Sequence, residues 1–144
     1  MSNKKTIIIA DDEPTIRLLV SSILGKSYNV LTAANGQEVL DAVGQNRPDL
    51  ILMDIMMPTM DGYSACASLK RDPETADIPI VMLTGVGHVL NKVLAEWMGA
   101  DGYIIKPFTS QELRDTVQKY LYAPKAGPNK EEVEPAPTEL ETVS

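Results

Sequence analysis

The sequence predicts an α/β domain, a doubly wound, five-stranded parallel sheet with five helices over its two faces. Three observations carry this expectation. Apolar runs without polar alternation, such as Thr6–Ala10 and Leu50–Met53, have the pattern of strands buried on both sides. Segments with apolar residues at helical spacing follow these runs, so strand and helix alternate five times. Four of the five strands run out onto polar or charged residues: Asp11-Asp12, Asp54, Thr84 and Lys106.

The first strand is Thr6–Ala10, a β-branched run that halts at Asp11-Asp12-Glu13. Pro14 suits the first turn of the next helix, where its missing N–H costs nothing. That helix reaches about Gly25 and is expected to bury Ile16, Leu19, Val20, Ile23 and Leu24, with Leu18 outward. The second strand is Tyr28–Ala33, and Asn35-Gly36 reads as a turn signal. A helix with Val39, Leu40 and Val43 inward then ends near Asn46, before Pro48.

The third strand, Asp49–Asp54, opens as a continuous apolar run and stops at a carboxylate. Asp61 can cap a helix holding Cys66 and Leu69, which ends before Asp72-Pro73. The fourth strand is Ile78–Leu83, with Thr84 at its end. A fourth helix is expected over about His88–Met98, with Leu90, Val93, Leu94 and Trp97 on its apolar side and Gly99 as its stop. The fifth strand is Gly102–Ile105, stopping at Lys106-Pro107. Thr109 or Ser110 can cap the last helix, where Leu113, Val117 and Leu121 face inward.

Composition bounds the function classes. The chain has 144 residues and a net charge of −7, which argues against direct nucleic-acid binding and against an anionic membrane surface. Residues 1–122 hold 15 acidic and 11 basic side chains and read as one domain. Residues 123–144 hold 5 and 2, with Pro124, Pro128, Pro135 and Pro137 among the acids, and are expected to be a disordered tail. Cys66 is the lone cysteine, so no internal disulfide or cysteine zinc site forms. The start is too short in apolar residues for a signal peptide or a membrane span, which points to a cytoplasmic protein.

In a parallel sheet the polar strand ends all lie along the carboxyl edge, where open α/β sheets bind ligands at the point of strand-order reversal. The second strand ends on Ala33-Ala34 and offers no such group. This fits the order 2-1-3-4-5, shared by flavodoxin-like folds, with strands 1 and 3 flanking the switch point. Asp11, Asp12 and Asp54 in one cleft repel each other, and Lys106 offsets only one of them. A hard divalent cation such as Mg²⁺ resolves the excess. The remaining groups then make a coherent set. A carboxylate can act as nucleophile, while metal, Lys106 and the Thr84 hydroxyl cover the oxygens of a transferred phosphoryl group.

At these residues the sequence resembles the receiver domain of bacterial two-component response regulators, of the stand-alone, chemotaxis-regulator type. The resemblance rests on Asp11-Asp12, on Asp54-Ile55-Met56-Met57-Pro58-Thr59-Met60-Asp61-Gly62, on Thr84, and on Tyr103-Ile104-Ile105-Lys106-Pro107. It covers about residues 5–121. It implies that Asp54 accepts a phosphoryl group from a sensor histidine kinase or phosphotransfer protein. It implies that Asp12, Asp54 and the backbone carbonyl of Met56 ligate Mg²⁺, with Asp11 acting largely through water. Thr84 and Lys106 would contact the phosphoryl oxygens, and the Lys106-Pro107 bond would be cis. On phosphorylation Thr84 would shift and Tyr103 would turn into the vacated space. This would repack the face of the fourth helix, fifth strand and fifth helix for a downstream protein target or a phosphorylation-dependent homodimer.

Two rivals and a variant reading stand beside this one. A haloacid-dehalogenase-type phosphatase also uses a nucleophilic Asp after a strand but carries a second Asp two residues on, and here that position is Met56. A flavodoxin-like redox protein wants a Ser/Thr/Gly-rich first loop, where this chain has Asp11-Asp12-Glu13-Pro14. The domain could also serve as an interaction scaffold independent of phosphorylation. His88 lacks partners for a metal site, and Gly85-Val86-Gly87 is no dinucleotide fingerprint because Leu90 occupies the third glycine position. Apart from its self-phosphorylation and self-dephosphorylation, the protein is not expected to be an enzyme.

Overall fold

The structure is a computed structural model, and it describes residues 4–85 and 99–122. Five strands, β1 (Thr6–Ala10), β2 (Asn29–Ala33), β3 (Leu50–Asp54), β4 (Ile80–Gly85) and β5 (Gly102–Lys106), form one sheet. The strand order is 2-1-3-4-5, and every neighbouring pair is parallel. Four helices lie among the described residues: α1 (Pro14–Leu24), α2 (Gly36–Gln45), α3 (Gly62–Arg71) and α4 (Ser110–Tyr122). The expected fourth helix, over about His88–Met98, and the expected disordered tail, 123–144, lie outside the described residues. Among the described residues no helix is long and apolar enough to cross a membrane.

Side chains alternate across the strands, so each continuous apolar run feeds two cores. Ile8, Ala10, Ile51, Met53, Ile80 and Met82 pack with Val39 and Val43 of α2 and with Ala65, Cys66 and Leu69 of α3. Ile7, Ile9, Leu50, Leu52, Val81 and Leu83 pack with Val20 and Leu24 of α1 and with Leu113 and Val117 of α4. All five residues of β3 are buried, as expected of the central strand of a doubly covered sheet. Burying both faces of three neighbouring strands fixes their register strongly, and with it the positions of the residues at their ends.

Several local expectations need correction. β4 begins at Ile80 rather than Ile78, because Pro79 has no N–H to give the ladder, and the Ile80 N–H is taken by the Asp101 carboxylate at 2.8 Å. Asn35 is not a turn residue but the N-cap of α2, its side chain accepting from the Glu38 N–H at 2.9 Å. Leu19, expected inside, is 46% exposed. The buried residues of α1 are Val20 and Leu24, and Leu19 falls on the flank of their stripe beside Pro107 and Phe108. Leu18 is exposed as expected. Asp61 caps α3 through the Ser64 N–H, and Thr109 and Glu112 exchange hydrogen bonds in a capping box at the start of α4.

Candidate functional site

The carboxyl edge of β1, β3 and β5 gathers the expected acids and their counter-ion. Beyond β1 the Asp11 N–H donates to the Ala33 carbonyl at 3.1 Å, which extends the ladder by one step and holds Asp11 at the edge. Asp11 is fully buried. Its carboxylate accepts from the Glu13 N–H at 2.9 Å and from Lys106 Nζ at 2.9 Å, and its carbonyl accepts from the Arg17 guanidinium at 2.7 Å. β3 delivers Asp54, only 9% exposed, with Oδ1 3.2 Å from Lys106 Nζ. By alternation Asp54 lies on the face of Leu50 and Leu52, and Lys106 on that of Ile104, which brings cation and acids to one side of the sheet. Lys106 therefore bridges two acids. The Lys106-Pro107 peptide is cis, in line with the expectation.

One carboxylate oxygen from each of Asp11, Asp12 and Asp54 lies within 4.8 Å of the others. Asp12 is exposed, so the cluster opens to solvent on its side. Burial and the neighbouring Asp11 charge push the Asp54 carboxyl up to about 6, against the opposing pull of Lys106. Burial alone would lower the Lys106 ammonium, but its bond to Asp11 and the charge of Asp54 outweigh this and raise it. Three hard oxygen donors facing one ammonium are the donor set a Mg²⁺ ion takes, with waters completing its shell. The residues present fit that ion.

Thr84 ends up apart from this hydrogen-bonded group. It follows Met82 by alternation, and its register partner across the sheet is Ile105. Its hydroxyl is buried and has no hydrogen-bond partner among the described residues, an arrangement that costs about 1–3 kcal/mol unless something later occupies it. Tyr103, in register with Met82, is half-buried against the core under α2 and α3. Met56, two residues beyond Asp54, is 70% exposed, whereas Met57 turns into the core.

Some residues that shape the site had no functional signal of their own in the sequence. Arg17, one turn into α1, steadies the backbone of Asp11. Gly62 lets α3 start directly under β3, since a Cβ there would overlap the Asp54 carbonyl. The Gly at the end of an Asp-Gly pair is visible in sequence, but a contact eight residues back along a loop is not.

A profile described as "Response regulator receiver domain" matches residues 7–118 of this chain. Among curated proteins, the DNA-binding dual master transcriptional regulator RpaA of Synechocystis is 41% identical over 116 residues, covering 80% of this chain and 48% of that protein. Among solved structures, the chemotaxis response regulator CheY4 of Vibrio cholerae is 32% identical with a TM-score of 0.77, covering 82% of this chain and 99% of that one. The receiver domain of the sensor histidine kinase PA1611 of Pseudomonas aeruginosa, with magnesium ion coordinated in its active-site cleft, is 27% identical. Its TM-score is 0.76, over 82% of this chain and 98% of that one. The chain spans about half the length of the curated relatives it matches. This corrects the expectation of no direct nucleic-acid partner. A relative of this chain is a DNA-binding regulator, and the −7 charge that motivated the expectation bounds only these 144 residues. The stand-alone reading likewise gains no support from relatives about twice as long.

Proposed function

We infer the function from one premise: this chain belongs to the response regulator receiver domain family. We propose that Asp54 is its phosphoacceptor and that a histidine kinase or phosphotransfer protein is the donor. The observation that carries this is the nearly buried Asp54 carboxylate, held by Lys106 within a cluster of three acids at the sheet's carboxyl edge. A carboxyl near 6 is ionised at neutral pH yet more basic than an ordinary aspartate, which suits a nucleophile.

In the proposed step an Asp54 oxygen attacks the phosphorus of a phosphohistidine. The O–P bond forms as the P–N bond breaks, and the electron pair of the broken bond returns to the imidazole nitrogen. Asp11, Asp12, Asp54 and the Met56 carbonyl would hold Mg²⁺, which supplies positive charge to the phosphoryl oxygens. Lys106 offers a second cation on the same side of the sheet. Thr84 has a buried hydroxyl with no acceptor among the described residues, and a phosphoryl oxygen would provide one. Its movement toward Asp54 would free space for Tyr103 and alter the face of β5 and α4, the signal passed to a protein partner. The rest of that face, the expected helix over His88–Met98, lies outside the described residues. In this reading the protein catalyses only its own phosphorylation and dephosphorylation, in the cytoplasm.

Intact-mass measurement after incubation with a small-molecule phosphodonor tests the proposal. Wild type should gain one phosphoryl group with Mg²⁺ and none with EDTA. An adduct that persists in Asp54→Ala would sink it.

A further inference from the structure

The loop between β3 and α3 is pinned from the N-terminus of α2. At its inner end the Gly62 N–H donates to the Ile55 carbonyl at 2.8 Å. At its outer end the Met60 carbonyl accepts from the Gly36 N–H at 2.7 Å, one of the α2 N-terminal amides that have no intrahelical partner. Between these ends the Met60 N–H turns back to the Pro58 carbonyl at 2.6 Å. Thr59 takes φ 67°, a conformation that β-branched residues rarely adopt, so the loop is held rather than relaxed. The anchor itself is fixed, because the Asn35 side chain caps Glu38 and Glu38 reaches back to the Ala34 N–H at 2.7 Å.

Gly36 meets the loop so closely that no side chain fits. A Cβ there would lie 2.7 Å from both the Met60 carbonyl oxygen and Met60 Cγ. The oxygen is backbone, so a rotamer change in Met60 does not clear it, and the loop itself must move. Met56 stands at the other end of this short segment, two residues beyond Asp54.

We propose that Gly36 is a positioning residue for the Mg²⁺ site: by clasping Met60 it sets the course of the Met56–Met60 loop, and with it the Met56 carbonyl. The inference rests on the reading of that carbonyl as a ligand. Partners that orient a ligand without touching the metal commonly carry part of its affinity. Gly44 supplies a matched control: it lies in the same helix, and a Cβ there meets nothing within 4 Å.

Isothermal titration calorimetry of Mg²⁺ into the full chain tests this, with melting in EDTA measured in parallel. Gly36→Ala should weaken Mg²⁺ binding on the order of 10-fold, and Gly44→Ala should leave it as in wild type. A folded Gly36→Ala protein with wild-type Mg²⁺ affinity would overturn the proposal. If wild type binds no Mg²⁺, the metal reading fails and takes this inference with it, an outcome separable from a loss confined to the variant. A second measurement needs no variant. In wild type the Gly36 amide resonance should shift along the same Mg²⁺ titration curve as the Met56 amide while Gly44 stays still, and a silent Gly36 would also overturn the clasp.

Discussion

Replacing Asp54 by Asn should stabilise the metal-free protein, and only at neutral pH. The folded carboxyl sits at about 6 against an ordinary 3.8, chiefly because it is buried, then because Asp11 lies beside it. At about 1.36 kcal/mol for each pKa unit, the native state favours the protonated form by about 3 kcal/mol. Because the folded value lies above the unfolded one, the native state binds the proton more tightly. Stability from this group is complete below pH 3.8 and is lost as pH rises through about 6. Asn removes that penalty, and the pull of Lys106 on the carboxylate is already contained in the folded value. Lys106 keeps its bond to Asp11 at 2.9 Å. The gain should be about 3 kcal/mol at neutral pH and should largely disappear as pH approaches 4. Urea unfolding in EDTA, followed by far-UV circular dichroism at both pH values, reads this difference directly. A variant no more stable than wild type at neutral pH, or equally stabilised at both, would refute the electrostatic reasoning.

Other substitutions probe the remaining parts of the site. Lys106→Met leaves the fully buried Asp11 without its cation and should cost about 2–3 kcal/mol at neutral pH, discounted for the partial exposure of Lys106. A loss below about 1 kcal/mol, within the range of a surface ion pair, would contradict the bridging role. Gly62→Ala forces a Cβ into the Asp54 carbonyl and should destabilise by about 2 kcal/mol or more, visible as a lowered urea midpoint; an unchanged midpoint would mean that the strand end yields easily. Met56→Asn puts a polar side chain at an exposed position two residues beyond Asp54 and should speed hydrolysis of the proposed Asp54 acyl phosphate. Equal dephosphorylation rates would show that the apolar Met56 does not shield the bond.

Much of this architecture could be read from sequence because the central strands are buried on both faces. Continuous apolar runs then mark the central strands, and the first polar residue after each marks the sheet edge. That is why Asp11, Asp54 and Lys106 were found together from three distant segments. Local chemistry that depends on neighbours in space was less visible. Asn35 looked like a turn because N-caps and turns draw on the same residue types. Leu19 matched the helical stripe, yet the width of the covered face is set by what packs on it, and α1 buries only Val20 and Leu24. The contacts that hold the site from behind were out of reach. Gly36 touches Met60 from 24 positions away, and Arg17 acts on a backbone carbonyl that carries no sequence signal. Lys70 reads as an ordinary helical surface residue. In the fold it donates to the Ala76 and Ile78 carbonyls and to Asp101, tying the end of α3 to the start of β4 and β5.

In the proposed function the carboxylate ending β3 carries the phosphoryl group. Borohydride reduction of the phosphorylated protein followed by peptide mapping addresses it most directly, because reduction converts an aspartyl phosphate to homoserine and marks its position. Homoserine is expected at position 54 alone, in wild type treated with phosphodonor and Mg²⁺. Homoserine at position 11 or 12, or none anywhere in a protein that has gained a phosphoryl group, would contradict it.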